Sequence, residues 1–230
     1  MIDVHTHVLP GADHGSASVK ESLKMLEQLA LDGVTDVFCT SHYYSAERKV
    51  ESFLQAYDKA FATLQAAGVN GVRLHRGAEV TISRYFHYTR PDKALCLGGG
   101  NRILIELPFT KKCEEWVFDA IAALQGEYSL IPVIAHPERY EYVAKCPRIL
   151  TKFCNAGAEI QVNAASFGAR SAKRAIKFML KNDLIDYVAS DAHYGDTLHT
   201  SASVLRVLKK RGDRLRERLE KKADSLLKSL

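Results

Sequence analysis

Residue types that ligate metals close one apolar run after another in this chain, at intervals of about one βα unit. The chain opens Met-Ile-Asp-Val-His5-Thr-His7. Residues two apart on a strand point to the same face, so His5 and His7 can offer two imidazoles to one cation. His42 follows Val37-Phe38-Cys39-Thr40-Ser41, and Glu79 follows the run from Val72 to Ala78. Glu106 follows Ile103-Leu104-Ile105, and His136 follows the run from Leu130 to Ala135. Asp191-Ala192-His193 follows Tyr187-Val188-Ala189-Ser190. A lone histidine at a strand end is usually an ordinary structural residue. A whole series of them is hard to explain that way, because burying imidazoles and carboxylates together is costly unless an ion pairs them.

The spacing predicts the fold class. From His7 the steps are 35 residues to His42, 37 to Glu79, 27 to Glu106, 30 to His136 and 55 to Asp191. Each matches a βα unit of ~30 residues, and the last matches two, with Gln161-Val162-Asn163 closing the strand between. Strands are expected near residues 2–5, 35–40, 72–78, 102–107, 130–135, 158–163 and 186–190. Most are continuous Val/Ile/Leu runs, as suits parallel strands covered on both faces. Helices are expected over Ser18 to Leu31, Val50 to Ala67, Glu114 to Gln125, Arg148 to Asn155, Ala169 to Lys181 and Ser201 to Lys210. Gly33, Gly68, Gly126 and Gly157 follow four of these as C-caps. The pattern predicts an α/β fold of the (β/α) barrel kind, where functional groups gather at the C-terminal rim of the strands. A doubly wound open sheet is the alternative, but it would not bring the ligands of both outer strands together.

With 230 residues, 47% of them hydrophobic and 26% charged, the chain suits one globular domain over 1–230. No run is long enough to span a bilayer, so membrane insertion is not expected. A cleavable leader is not expected either, since its removal would take His5 and His7 with it. The five cysteines are odd in number and scattered, which suits reduced thiols in a cytoplasm. The net charge of +5 is concentrated: residues 206–230 hold ten Lys/Arg and four Asp/Glu. Leu215, Leu219, Leu226 and Leu230 recur there near helical spacing, with Glu217 and Lys221 as an i,i+4 pair. The preferred reading is a basic C-terminal helix from about 212, docked by its leucine stripe. The sharper reading is an electrostatic dock for an acidic partner or a membrane surface. Interspersed Asp and Glu argue against nucleic acid as a partner.

Six of the nine histidines belong to the ligand set: His5, His7, His14, His42, His136 and His193. His75, His87 and His199 are left over as ordinary residues. With Glu79, Glu106 and Asp191 the set holds nine candidates, too many for one ion but suited to two or three divalent ions with a bridging carboxylate. Imidazole and carboxylate donors without thiolate suit Mn, Fe or Zn and argue against a cysteine-type structural zinc.

The His-x-His start, Ser-His42, Gly77-Ala-Glu79, Leu-Ile-Glu106, Ala-His136-Pro-Glu-Arg139-Tyr and Ser-Asp191-Ala-His193 resemble the polymerase and histidinol phosphatase (PHP) superfamily. More narrowly, the chain resembles the manganese-dependent bacterial tyrosine phosphatases of capsular and exopolysaccharide operons. The resemblance covers nearly the whole chain, in register. It implies a distorted seven-stranded (β/α) barrel with a trinuclear rim site. By that likeness His5, His7, Glu79 and Asp191 hold one ion, and Glu79, Glu106 and His136 hold a second. His14, His42 and His193 hold the third. The resemblance further implies a phosphotyrosine protein as substrate, namely the tyrosine-rich tail of a membrane-associated bacterial tyrosine kinase. The protein would then be cytoplasmic, peripheral to the membrane through that partner, with homo-oligomerisation left open. Two departures stand out. The tyrosine phosphatases usually carry Asp where this chain has His14, although other superfamily members use His there. They also carry an Arg shortly after the Asp-x-His motif, where this chain has Tyr194-Gly-Asp-Thr-Leu-His199.

The chemistry expected is in-line attack of a metal-bound hydroxide on phosphorus, since bound metal can lower the pKa of water to about 7. Arg139 is expected to clamp phosphoryl oxygens with its planar fork, alongside His199 in place of the second arginine. His193, His199 or Asp13 is expected to protonate the leaving group. A decoy competes with this reading: Cys96-Leu-Gly-Gly-Gly-Asn-Arg102 matches Cys-x5-Arg, the signature of cysteine-dependent phosphatases. That loop should lead into a helix whose N-terminus activates the thiol. Here it leads into Ile103-Leu104-Ile105, a strand. Two alternative functions remain: a small-molecule phosphatase such as a histidinol-phosphate phosphatase, and a non-enzymatic, metal-binding regulatory module that docks a kinase tail through the basic helix.

Overall fold

Ile103, Leu104, Ile105, Val133 and Ile134 are all fully buried, so the continuous apolar runs do lie in parallel strands covered on both faces. The computed structural model describes residues 1–86, 91–194 and 199–230. The strands are β1 (Ile2–Thr6), β2 (Asp36–Cys39), β3 (His42–Tyr44), β4 (Arg73–Arg76), β5 (Glu79–Thr81), β6 (Arg102–Glu106), β7 (Ile131–Ile134), β8 (Glu159–Asn163) and β9 (Tyr187–Ala189). The α-helices are α1 (Val19–Leu31), α2 (Val50–Ala66), α3 (Glu115–Gly126), α4 (Glu141–Lys145), α5 (Ile149–Asn155), α6 (Lys173–Lys181), α7 (Ser201–Leu208) and α8 (Asp213–Leu227).

Every expected strand position carries a strand, and two of them are split. The run over 35–40 continues after Thr40-Ser41 as β3, and the run over 72–78 continues after Gly77-Ala78 as β5. Glu79 N–H donates to both Thr40 O and Ser41 O at 3.2 Å, which locks the two breaks together. His42 and Glu79 therefore open strands rather than follow them, and they are register partners in the β3–β5 ladder. All strand pairs are parallel, giving a three-stranded sheet β1-β2-β4 and a six-stranded sheet β3-β5-β6-β7-β8-β9. Between β1 and the segment after β9 the ladder link among the described residues is one bridge, Thr6 with Ala192. It rests on Asp191 N–H to His5 O at 2.9 Å and His7 N–H to Ala192 O at 2.8 Å. The architecture is thus α/β with parallel sheets. The expected closed seven-stranded ring does not form as one ladder, because the strand breaks divide it and a single bridge joins its ends.

The helices differ at their edges. Ser18 caps α1, accepting from Glu21 N–H, and Thr200 caps α7 in a reciprocal box with Ser203. The expected helix from Ala169 starts only at Lys173, after a 3-10 turn over Ala164–Gly168. The short α4 was not foreseen. Gly126 is the last residue of α3, not a cap; the left-handed residue there is Ser129, at φ 56°.

The C-terminal helix seals the end of the strands opposite the ligand residues. Leu226 is fully buried in a cluster with Val4, Phe38, Leu97, Leu104, Val133, Ala135, Tyr187 and Ala189. The cations of α8 are partly consumed inside the fold. Arg218 pairs with Asp186 at 2.8 Å, and Lys222 pairs with Glu159 at 2.7 Å and Asp186 at 2.9 Å. The docked-helix reading of the basic tail therefore describes these residues better than a free electrostatic dock. Among the described residues no helix is long and apolar enough to cross a membrane. A Leu226→Ala protein should lose about 2–5 kcal/mol of stability, the range for emptying a buried leucine site. Urea unfolding measures this, and a loss under 1 kcal/mol would show that α8 does not carry the lower core.

Candidate metal centre

His5 leaves β1 inward and His7 follows the same strand, one on each side of Thr6, and both are fully buried. His5 Nδ1 lies 3.0 Å from Gln161 Oε1, an atom that only accepts, so Nδ1 carries the proton. His7 Nδ1 lies 2.8 Å from Asp13 Oδ2, which fixes the same tautomer. Both Nε2 atoms then present lone pairs, and they face each other at 3.1 Å. Glu79 Oε2 sits 3.1 Å from the first and 3.3 Å from the second, and Asp191 Oδ1 sits 3.3 and 3.4 Å from them. Among the described residues neither of these two carboxylate oxygens has a hydrogen bond. Four electron-rich atoms aimed at one buried point are unstable together unless positive charge stands between them. This donor set fits a divalent cation.

The rest of the set continues outward. His42 Nδ1 is 3.0 Å from Glu79 Oε2, and His136 Nε2 is 2.9 Å from Glu79 Oε1 and 3.7 Å from Glu106 Oε1. Glu106 Oε2 accepts from Thr81 Oγ1 at 2.8 Å. Four overlapping triplets bring their donor atoms within 4.8 Å of one another: His7, His42 and His193; His5, His136 and Asp191; His5, His7 and Glu79; His42, Glu79 and Glu106. His14 joins by ring contact. It is exposed, and it stacks at 4.7 Å on both His42 and His193. Each of the nine expected ligands therefore lies in one cluster, although His14 stands outside the triplets. His136 and Asp191 take left-handed backbone, at φ 33° and 53°, a conformation that costs about 1–3 kcal/mol per residue and gathers at functional sites.

The electrostatics express the same demand for cations. Burial opposes protonation of His5, but the charges of Glu79 and Asp191 outweigh it and lift the imidazole to about 9. Burial likewise opposes ionisation of Glu79, yet the imidazoles of His5, His136 and His7 hold it well below the usual carboxylate range. At Glu106, burial and the Glu79 charge act together and push the group up to about 7. His42 falls to about 4, chiefly through burial, which keeps it a neutral ligand.

Arg139 stands beside the cluster, its Nη1 3.1 Å from Asp191 Oδ2, with 46% of its side chain exposed. It is close enough to the site to meet an anion there and open enough to be reached. Asp13, one of the three expected proton donors, is placed as a hydrogen-bond acceptor. Its Oδ2 accepts from His7 and from His42 N–H at 2.9 Å, and its Oδ1 accepts from Gly15 N–H at 2.9 Å. Burial opposes the charge, but these hydrogen bonds hold the carboxyl far below its ordinary range. An ionised, saturated carboxylate has no proton to give; Asp13 orients His7. Gly15 is needed for that arrangement, since a Cβ there would sit 2.4 Å from both His7 Cβ and His7 O. An Asp13→Asn protein should bind metal about 10–100-fold more weakly, the usual cost of losing such an orienting group. Equilibrium dialysis with Mn measures this, and unaltered affinity would remove the role.

His199 is exposed and joins no contact of the cluster among the described residues; residues 195–198 lie outside them. His75 pairs with Asp36 at 2.8 Å, as an ordinary residue would, and His87 lies outside the described residues. Two functional positions were read only as a strand end. Gln161 Oε1 also accepts from His136 N–H at 3.1 Å, and Asn163 Nδ2 donates to Asp191 Oδ2 at 2.6 Å. Their i,i+2 spacing on β8, matching that of His5 and His7, was the available signal. The cysteine decoy fails on placement. Cys96 is buried, and Arg102 is bound to Glu159 at 2.9 Å, at the start of β6 and the opposite end from Glu106.

Residues 1–225 match the family model described as capsular polysaccharide synthesis, CpsB/CapC. The tyrosine-protein phosphatase YwqE of Bacillus subtilis is 30% identical, over 100% of this chain and 92% of its own. The tyrosine-protein phosphatase CpsB of Streptococcus pneumoniae is 26% identical, over 86% of this chain and 84% of its own. A chain from the crystal structures of these two proteins, described as unique metal-dependent tyrosine phosphatases, superposes with a TM-score of 0.84 at 28% identity. It covers 100% of this chain, which covers 95% of it. With an α/β fold of parallel strands and a buried imidazole–carboxylate cluster gathered from several of them, this is a protein of the metal-dependent phosphatase type. The chain belongs to the CpsB/CapC family.

Proposed function

We propose that the protein is a metal-dependent phosphomonoesterase that removes phosphate from tyrosine in a protein substrate. The observation that carries this is the convergence of His5 Nε2, His7 Nε2, Glu79 Oε2 and Asp191 Oδ1 on one buried point with Arg139 beside it. The names of the relatives, tyrosine-protein phosphatases that match over nearly the whole chain, supply the substrate class. The substrate protein in this reading is a tyrosine kinase of polysaccharide synthesis, met at the cytoplasmic face of the membrane. The strand paths are read as a distorted (β/α) barrel opened at the β1 edge.

His5, His7, Glu79 and Asp191 would hold one divalent ion, and Glu79, Glu106 and His136 a second, Glu79 being common to both sets. A third would lie toward His42 and His193 with His14, and Mn is the preferred metal, with Fe or Zn as alternatives. Such ions, when bound, supply Lewis acidity toward phosphoryl oxygens and lower the pKa of water. The chain's own groups do the rest. Gln161 and Asp13 keep the His5 and His7 protons on Nδ1, so that Nε2 stays a ligand. Arg139, drawn from Asp191 to the incoming phosphate, holds equatorial oxygens in line, where charge spreads in the transition state. A phenolate, whose conjugate acid has a pKa of about 10, leaves with little proton help. The reading therefore needs no dedicated acid, and His193 serves as ligand first.

The test is p-nitrophenyl phosphate hydrolysis by protein stripped with chelator and reconstituted with Mn, Fe or Zn. Turnover should vanish on stripping and return with metal, and phosphotyrosine peptide should exceed histidinol phosphate as substrate. Turnover that survives stripping and dies on thiol alkylation would replace this reading with cysteine chemistry. A preference for histidinol phosphate would turn it to the small-molecule alternative.

A further inference from the structure

Three exposed aromatic side chains border the cluster, each with its ring centroid 5.3 to 6.2 Å from that of one of its imidazoles. Tyr44, at the end of β3, stacks on His42 with centroids 5.3 Å apart and planes 14° apart, and is 37% exposed. Phe109, three residues past Glu106, lies 6.1 Å from His136 at 29° and is 56% exposed. Tyr194 follows His193 at 6.2 Å and is 60% exposed, and its hydroxyl donates to His14 O at 3.3 Å. The position of Phe109 is held from two sides. Its ring meets Tyr140 edge-on at 4.9 Å and carries the Arg139 guanidinium at 5.4 Å. Large apolar rings held open to water at a polar site invite an apolar ligand group. A phosphoryl group between the cluster and Arg139 must send its ester substituent outward, toward these rings.

We propose that Phe109, Tyr44 and Tyr194 form an aromatic collar that grips the ester ring and makes the site selective for aryl over alkyl phosphomonoesters. This rests on the phosphatase reading above and adds the residues that set substrate class. An aryl group offers a π face to offset or edge contact with the collar, whereas the alkyl ester of serine or threonine offers none. Selectivity by ring contact is modest per residue and accumulates around the collar.

Isothermal titration calorimetry of the Mn-loaded protein with phenylphosphonate and with methylphosphonate tests this without turnover. Wild-type protein should bind the phenyl ligand more tightly. Phe109→Ala and Tyr44→Ala should each cut the ratio of the two affinities by about three- to tenfold, the scale of one aromatic contact. Because Arg139 rests on Phe109, the affinity common to both ligands reports on Arg139, while the ratio reports on the collar. Phe109→Leu keeps an apolar shelf under Arg139 and should still lower the ratio. Equal wild-type affinities, or an unchanged ratio in both alanine variants, would overturn the collar and leave the phosphatase reading standing. Failure of the wild-type protein to bind either phosphonate would overturn both.

Discussion

A Glu79→Gln protein is expected to lose metal and turnover together. The Glu79 carboxylate touches four imidazoles, those of His5, His7, His42 and His136, at 2.9 to 3.3 Å, and is fully buried. The substitution is nearly isosteric, so packing is retained and the charge alone is removed. Removing one partner of a buried charge assembly costs about 3–5 kcal/mol, which as binding free energy weakens affinity about 10²–10⁴-fold. Metal content after gel filtration, read by mass spectrometry, should fall by at least one ion per chain relative to wild type. Full occupancy in Glu79→Gln would show that this carboxylate is not shared between ions and that the donor sets are separate.

Arg139→Ala should leave the metal in place and slow the reaction. The guanidinium contacts Asp191 Oδ2 and not the oxygen that faces His5 and His7, so its loss removes no donor from the ion. Taking away one preorganised group that holds transition-state charge costs about 10²–10³ in kcat. Arg139→Lys should recover only part of this, since an ammonium keeps the charge but lacks the planar fork. Steady-state kinetics with metal content measured in parallel decide the point. If Arg139→Ala turned over as fast as wild type, the phosphate clamp would have to be sought elsewhere.

Much of the cluster was legible in the sequence because strand geometry is local. A strand fixes which side chains share a face, and a βα unit fixes how far along the chain the next strand end falls, so ligand-type residues at that spacing nominated His5, His7, His42, Glu79, Glu106, His136 and Asp191. Strand positions were readable for the same reason, as was the final helix, although of its four spaced leucines Leu215 and Leu226 are buried, Leu219 is half-buried, and Leu230 lies exposed beyond the helix end. The choice of a proton donor among His193, His199 and Asp13 was less legible. Asp13 was one of three candidate donors, and its three accepted hydrogen bonds suit an orienting group instead.

What the sequence by itself determined is the set of candidate donors and the alternation of strands and helices, since both follow from local periodicity and residue chemistry. What only the tertiary structure decided is how those parts meet. The breaks that turn His42 and Glu79 into register partners depend on Glu79 N–H reaching across to Thr40 and Ser41. Gln161 sets the tautomer of His5 from 156 residues away, and Arg102 is drawn from the decoy loop by Glu159, 57 residues on. The aromatic rings reach the cluster from three separate segments, the end of β3, the stretch after β6 and the stretch after β9. Contacts of this kind are chosen by packing and hydrogen-bond satisfaction between distant segments, and no local pattern in the chain encodes them.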